Sequence, residues 1–308
     1  MVASPPATGP RLWGLIVKET FHTWLERDAF TQAAALAFYG MFSLSPVLVL
    51  FAEAAGLLFD RGAVRHQIIG QFELLMGHDP ALAVDAMLDR AAFEMTGIVP
   101  RIIGIATFVI GTLAVFVQLQ DSLNRMWDVA PRPGPLLKRL LWKRLVSFAL
   151  VVTLGFVLVI SLALSATIHA LQDFVERFLK LPVVSVETGN SVVTYILATI
   201  LFALIYRVLP DVKIPWRDVW VGAVVTALLL LVGKWAIGFY IGRSDLASAY
   251  GTAASMIVLL FWVYYASQLV LLGAVFTRVQ SKHFHERRRQ AEPGARRVRV
   301  VKEELPTP

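Results

Sequence analysis

The sequence contains no cysteine and is poor in charge. Among its 308 residues there is no Cys, and Asp, Glu, Lys and Arg together make up only 17%. The lack of Cys excludes disulfides and cysteine-ligated metal sites, and it leaves the redox compartment unreadable from thiols. Soluble domains usually carry about 25% charged residues. The shortage of charge therefore argues against an ordinary soluble domain.

The sequence motifs of common enzyme classes are also missing. There is no glycine-rich phosphate loop, no nucleophile elbow and no His-Glu-x-x-His zinc motif. His283 and His285 lie together in a charged segment, but no carboxylate-rich partner motif accompanies them. We therefore predict a protein that is not an enzyme and that has no cofactor and no metal site.

Hydrophobic residues are abundant, at 57% of the chain. A helix that crosses a bilayer needs roughly 20 mainly apolar residues, and six segments meet this requirement. They are about 29–58, 99–121, 146–169, 190–209, 219–241 and 252–277. The sequence thus predicts an all-α, polytopic membrane protein with six transmembrane helices.

Four polar or amphipathic segments flank these spans. Residues 1–10 are predicted to be a disordered lead, and 11–28 an amphipathic cytoplasmic helix that lies on the membrane surface or packs on the protein. The external segment 60–98 reads as two short amphipathic helices split at 78–80. Residues 278–308 form a basic cytoplasmic tail, predicted to be disordered, whose charge suits anionic lipid headgroups.

The distribution of basic residues predicts the orientation. Of the 29 Lys and Arg residues, 21 fall in one set of connections and 7 in the opposite set. Basic residues concentrate in cytoplasmic loops, so both termini are predicted to lie in the cytoplasm of a bacterial inner membrane. The same rule explains the net charge of +7 without a nucleic-acid partner, and we predict none.

Two charged residues lie inside predicted spans and away from the span ends. Lys234 is in the fifth span and Glu53 in the first, and both fall in the outer half of the bilayer when the rise is about 1.5 Å per residue. A buried charge in a membrane usually faces a partner or a cavity. The depth predicts either an ion pair between the two, a cavity lined by Lys234, or a Lys234 that reaches the outer headgroups.

A second group of polar residues lies toward the cytoplasmic ends of the spans. Its members are Gln32, Tyr39, Gln118, Gln120, Asp121, Arg207 and Asp211. They either line an inward-facing vestibule or pair with one another at helix interfaces. Pro46, in the middle of the first span, is predicted to kink its helix.

Three stretches together resemble the YihY/BrkB family of bacterial inner-membrane proteins. They are FTQAAALAFYGMFSLSPVLVL, LQDSLNRMWDV, and the segment from YRVLPDVKIPWRDVWVGA to AYGTAASMIVLLFWVYYASQLVLLGAVFT. The resemblance covers about residues 20–280 and implies a six-span helical membrane protein. Lys234 matches the span-five pattern of the family. The acidic residue that usually follows Gly-Ala after the sixth span is replaced by Val275 here, so no role transfers to it.

These patterns lead to one leading function and two alternatives. We predict transport or flipping of a small or amphipathic solute, of unknown identity, driven by a gradient or a partner because no ATP motif is present. The first alternative is a scaffold for an envelope complex that docks through 60–98, and the second is an intramembrane enzyme. Some members of the family once carried a ribonuclease label, but the chain shows no nuclease constellation. The sequence does not define an oligomeric state.

Overall fold

The structure, a computed structural model, describes residues 10–56, 60–94, 98–129, 186–241 and 254–291. These ranges contain α-helices and no strand, which confirms the all-α prediction for the described part of the chain. The helices are α1 (Pro10–Glu26), α2 (Ala29–Ala55), α3 (Arg61–Met76), α4 (His78–Glu94), α5 (Ile98–Trp127), α6 (Val186–Val208), α7 (Trp216–Ile241) and α8 (Ala254–Ala291).

Helices lie where five of the six spans were predicted, namely α2, α5, α6, α7 and α8. Two helical stretches in the described ranges are long and apolar enough to cross a membrane, Trp216–Ile237 and Ala254–Phe284. A shorter apolar stretch covers Tyr195–Val208. The predicted third span, 146–169, lies outside the described residues.

The segment 60–98, predicted to be external, forms α3 and α4, and local chemistry sets their ends. The side chain of Asp60 caps α3 by accepting a hydrogen bond of 2.9 Å from the Ala63 amide, as N-cap residues do. Gly77 ends α3 with φ of 91°, a conformation that glycine adopts without a steric cost. The helix break thus falls at Gly77, and residues 78–80, predicted as the break, instead form the first turn of α4.

A tight turn joins α1 to α2. Asp28 has φ of 54°, and its carboxylate accepts a hydrogen bond of 2.8 Å from the Thr31 hydroxyl. The Asp28 carbonyl accepts from the amide of Gln32 at 3.2 Å. Further along, α2 continues as a helix past Pro46, and the kink there stays a prediction.

Two hydrophobic cores lie at different levels of the bundle. The larger core joins Ile16 of α1 to α2, α5, α6, α7 and the second half of α8. The smaller core packs Val64 of α3 and Val84 of α4 against Leu48 of α2 and Leu259 of α8. Leu48 follows the α2 residues of the larger core, and Leu259 precedes those of α8. Helix α1 and the pair α3–α4 therefore pack at opposite ends of the bundle.

Helices α7 and α8 cross at very short distance because glycines line the contact. A Cβ atom built on Gly222 would lie 1.7 Å from the Thr277 hydroxyl, and one on Gly273 would lie 1.9 Å from the Thr226 hydroxyl. Small residues permit such close approach between membrane helices. Tyr206 of α6 joins the same contact and donates a hydrogen bond of 2.9 Å to the Val270 carbonyl.

Residues 278–291 differ from the prediction, and residues 292–308 of the predicted tail lie outside the described residues. The tail was expected to be disordered, but α8 continues as a helix to Ala291. The reason is a partner: Lys282 and His283 bind the Glu19 carboxylate of α1 at 3.0 and 2.7 Å. Trp13 of α1 also stacks on Phe276 with ring centroids 6.4 Å apart.

Candidate functional site

A layer of hydrogen-bonded amides lies inside the bundle between α2 and α5. The Gln118 side-chain amide donates to the Gln32 side-chain oxygen at 3.2 Å and to the Ser122 hydroxyl at 3.2 Å. The Ser122 hydroxyl in turn donates to the Gln32 oxygen at 3.1 Å. Gln32 and Ser122 are buried. Each of the three side chains thus has at least one hydrogen-bond partner in this group, as is usual for polar side chains between membrane helices.

A second cluster lies two residues, or about half a turn, closer to the end of α5. The amide of Asn124 donates to one Asp211 carboxylate oxygen at 2.9 Å, and its oxygen accepts from the Asp211 backbone amide at 2.8 Å. The side chain of Gln120 donates to the other carboxylate oxygen at 3.5 Å. This cluster fixes the connection between α6 and α7 to α5. We call the two clusters together the polar layer.

The other predicted members of the cytoplasmic-side group lie outside the polar layer. Arg207 donates to the Ile214 carbonyl and lies 5.6 Å from the ring centroid of Trp216. Tyr39 is exposed and packs on the neighbouring Phe38 ring. Asp121 is exposed on α5. The structure therefore brings together Gln32 with Gln118 and Gln120 with Asp211, but it places the remaining three apart.

Two residues of the polar layer were absent from the predicted set, Ser122 and Asn124. Each lies four residues after a predicted member, Gln118 and Gln120 respectively. Residues four apart share one face of a helix. The spacing of polar side chains in an otherwise apolar helix was the signal that would have identified them.

An ion-pair network closes the end of the bundle next to the polar layer. Arg27 donates to Asp128 at 2.5 Å, and Arg278 contacts the same carboxylate at 3.4 Å and the Met126 carbonyl at 2.8 Å. The hydrogen bond from Arg27 and the positive charge of both arginines lower the pKa of Asp128 below its ordinary value. An open cleft of about 470 Å³ lies beside this network, bounded in part by Glu26 and Arg27.

Lys234 lies at the other end of the bundle and is half-buried on α7. Within the described residues, Glu73 of α3 lies near enough for its negative charge to act on Lys234, and sequence reasoning did not connect the two. The side chain of Glu53 lies outside what the structure describes, so the Lys234–Glu53 pair stays a prediction. Just before Lys234, a Cβ on Gly233 would meet the Tyr265 hydroxyl at 1.9 Å, which places α7 directly against α8.

A second cleft, of about 420 Å³, opens between α1, the start of α7 and the end of α8. Its boundary includes Trp13, Arg217, Asp218 and Gln280. Neither of the two clefts described here is lined by Lys234. Within the described ranges, no three His, Asp or Glu side chains are grouped so as to hold a metal ion.

The helical bundle, its buried polar layer and its apolar α7 and α8 can be compared with known proteins. The family model described as virulence factor BrkB matches residues 20–298. The chain belongs to the virulence factor BrkB family. The match covers the described helices from the second half of α1 to the end of α8, which agrees with the resemblance seen in the sequence motifs.

Curated relatives of this BrkB-family chain are named UPF0761 membrane proteins. One from Stenotrophomonas maltophilia is 28% identical over 82% of this chain and 58% of its own length. One from Pseudoalteromonas atlantica is 27% identical over 85% of this chain and 84% of its own length. The chain thus spans less than two thirds of the length of the Stenotrophomonas relative. No solved structure matches the chain.

Proposed function

We propose that the protein transports or flips a small or amphipathic solute across the bacterial inner membrane. In this proposal it is a six-span bundle with both termini in the cytoplasm, and α3–α4 face the opposite side. The observation that supports transport is the polar layer, in which buried amides and a carboxylate lie inside an apolar bundle. Amide side chains both donate and accept hydrogen bonds, so they suit a pathway for polar groups.

The opposite packing ends of α1 and α3–α4 support the proposed orientation. Helix α1 packs on the second half of α8, whereas α3 and α4 pack on its first half. Such an arrangement supports a topology in which 11–28 and 60–98 lie on different sides of a membrane, as the bias in basic residues also predicts. Lys234 then lies in the outer half, near Glu73 of an external helix, where a positive charge suits an anionic solute group.

The two clusters of the polar layer have different roles in the proposed transport cycle. Gln32, Gln118 and Ser122 bind one another in the resting structure, and a solute that enters the bundle replaces these bonds with its own polar groups. Asn124 and Asp211 hold the α6–α7 connection on α5. Release of that connection opens the layer toward the cytoplasm. A gradient or a partner protein supplies the energy, because the chain has no ATP motif.

The external helices give less support to a docking scaffold. Among the described side chains of α3 and α4, the exposed large hydrophobic residue is Leu82. A scaffold of this kind is expected to present a contiguous apolar patch of a few hundred Å². The apolar residues of α3 and α4 instead face α2 and α8.

The test is solute release from proteoliposomes. Full-length protein is reconstituted, the vesicles are loaded with a bacterial small-molecule extract, and efflux is followed by mass spectrometry with and without a proton or sodium gradient. Flipping is followed in parallel with fluorescent phospholipids and a membrane-impermeant quencher. We expect faster movement of at least one solute or lipid than in empty vesicles.

Two variants connect this assay to the structure. Gln118→Leu removes the central donor of the amide layer and is expected to reduce the rate. Val117→Leu, at an exposed position on the same helix, is expected to leave the rate unchanged. Vesicles in which no solute and no lipid moves faster than in protein-free controls would refute the proposal.

A further inference from the structure

The cleft between α1, α7 and α8 holds a buried hydrogen-bond acceptor without a partner. Gln280 lines this cleft and is only 5% exposed. Its side-chain oxygen has no hydrogen-bond partner among the described residues. A buried acceptor without a donor is unfavourable, so this position points to a donor supplied by a ligand.

The same cleft presents groups that favour a cation. Asp218 is buried, and one of its carboxylate oxygens accepts a hydrogen bond of 2.6 Å from the Ser281 hydroxyl. Trp13 and Phe284, also at the boundary, meet edge to face with ring centroids 6.4 Å apart. Aromatic rings, a carboxylate and an amide oxygen together suit an ammonium group, through cation–π attraction and N–H hydrogen bonds.

A cationic side chain lies at the mouth of the cleft. Arg217 is exposed and lines the cleft together with the acidic Asp218. A guanidinium is well suited to phosphate because its donors match the phosphate oxygens. The cleft thus offers a place for a positive group and a place for a phosphate side by side, within about 420 Å³.

The surroundings of the cleft place it at the level of lipid headgroups. Trp216 and Trp220 are exposed at the start of α7, and exposed tryptophans mark the boundary between membrane and water. Helix α1 carries an exposed apolar stripe at every fourth residue, which consists of Trp13, Val17, Phe21 and Leu25. Its opposite face, with Ile16, is buried. A helix with this exposed stripe suits the headgroup layer.

We propose that this cleft binds the headgroup of a phosphatidylethanolamine molecule from the leaflet that faces α1. The primary ammonium donates to the Gln280 oxygen and lies against Asp218 and the Trp13 ring, while the phosphodiester binds Arg217. A primary ammonium has N–H donors for Gln280, but the quaternary ammonium of phosphatidylcholine has none. Phosphatidylglycerol has no cationic group to bind Asp218 and the Trp13 ring. The site is separate from the polar layer and does not depend on transport.

Native mass spectrometry of the full-length protein tests this site. The protein is titrated in detergent with phosphatidylethanolamine, phosphatidylcholine and phosphatidylglycerol of identical acyl chains. We expect phosphatidylethanolamine to bind about tenfold more tightly than phosphatidylcholine, the effect of one charge-assisted hydrogen bond. Equal binding of the three lipids by the unmodified protein would overturn the proposal, whether or not any variant folds.

Variants locate the binding in the cleft. Gln280→Leu is expected to lower phosphatidylethanolamine binding to the level of phosphatidylcholine and to leave phosphatidylcholine binding unchanged, which a general loss of structure would not do. Arg217→Gln, at an exposed position, is expected to weaken both lipids. Gln268→Leu is the matched control, since Gln268 is a buried glutamine of the same helix that does not line the cleft.

Two further outcomes decide the identity of the occupant. A preference for phosphatidylethanolamine that survives Gln280→Leu, or binding of both lipids that is unchanged in Arg217→Gln, would place binding elsewhere and overturn the assignment. Competition by water-soluble glycerophosphoethanolamine at the same concentration as the lipid would show a soluble ligand and overturn the lipid. Weak or absent competition by the soluble compound is the result expected for a lipid held by its headgroup and its chains.

Discussion

Asn124 offers a quantitative test of the polar layer. Asn124→Ala removes a hydrogen bond of 2.9 Å to the Asp211 carboxylate and one of 2.8 Å from the Asp211 backbone amide. A bond to a charged group contributes about 1.5–3 kcal/mol and a neutral one about 0.5–1.5 kcal/mol. Because Asn124 is only 8% exposed, water does not replace these bonds freely. We expect the free energy of unfolding to fall by about 2–4 kcal/mol.

The assay is denaturant unfolding in mixed micelles, followed by tryptophan fluorescence, with Gln120→Ala as the matched control. Gln120 contacts the same carboxylate, but at 3.5 Å, the upper limit for a hydrogen bond, so its loss is expected to cost less than about 1 kcal/mol. The double variant with Asp211→Ala should show a coupling energy of about 1–3 kcal/mol with Asn124. If Asn124→Ala destabilises no more than Gln120→Ala, the α6–α7 connection is not held by this pair.

Three further variants probe packing and charge. Gly273→Ala is expected to lower the free energy of unfolding by about 1–3 kcal/mol, because its Cβ would lie 1.9 Å from a buried hydroxyl. Thermal unfolding measures this change. Gly70→Ala is the control: its Cβ meets nothing within 4 Å, so it is expected to leave stability unchanged or to raise it. Partial burial acts to raise the pKa of Glu19, but hydrogen bonds and charge from Lys282 and His283 lower it overall. The ionised Glu19 carboxylate therefore stabilises the fold above its ordinary pKa, and this stabilisation is lost as pH falls through the lowered pKa. The rate of hydrogen exchange in α1 should rise on acidification. In Glu19→Gln the exchange rate should no longer depend on pH in this range. Arg65→Gln breaks bonds to two partly exposed aspartates and is expected to change stability by at most about 1 kcal/mol in the same thermal assay.

Each of these expectations has a clear contrary result. Equal stability of the Gly273 and Gly70 variants would show that α7 and α8 do not pack as closely as described. If hydrogen exchange in α1 is independent of pH in the unmodified protein, the ionised Glu19 carboxylate does not hold α1 on α8. A large loss of stability in the Arg65 variant would mean that the link between α3 and α4 contributes far more than a surface ion pair.

Sequence periodicity and hydropathy predicted most of the helices, because each depends on residues close together in the chain. The ends of the predicted segments 29–58 and 219–241 fall within three residues of the ends of α2 and α7. The continuation of α8 beyond 278 was missed for the opposite reason. Its helix is supported by Glu19, more than 250 residues away in sequence, and composition alone reads such a charged segment as a solvated tail.

The polar residues likewise divide into contacts that the sequence predicted and contacts that it did not. Counting residues along the spans gave the depth of Gln32 and Gln118 well enough to group them, and the structure joins them by a hydrogen bond. Depth alone did not give the direction in which a side chain points around its helix. Lys234 was therefore left with three alternatives, namely Glu53, a cavity or the outer headgroups, and Glu73 of α3, whose charge acts on it, was not considered.

The contact between α1 and α8 has a consequence for the order of assembly. Lys282 and Glu19 are 263 positions apart, so a ribosome completes α1 long before its packing partner exists. Until α8 is made, Ile16 on the buried face of α1 lacks the α8 side of its hydrophobic core. The contact between α1 and α8 therefore forms only after the helices between them have been synthesised, and it cannot guide the folding of those helices.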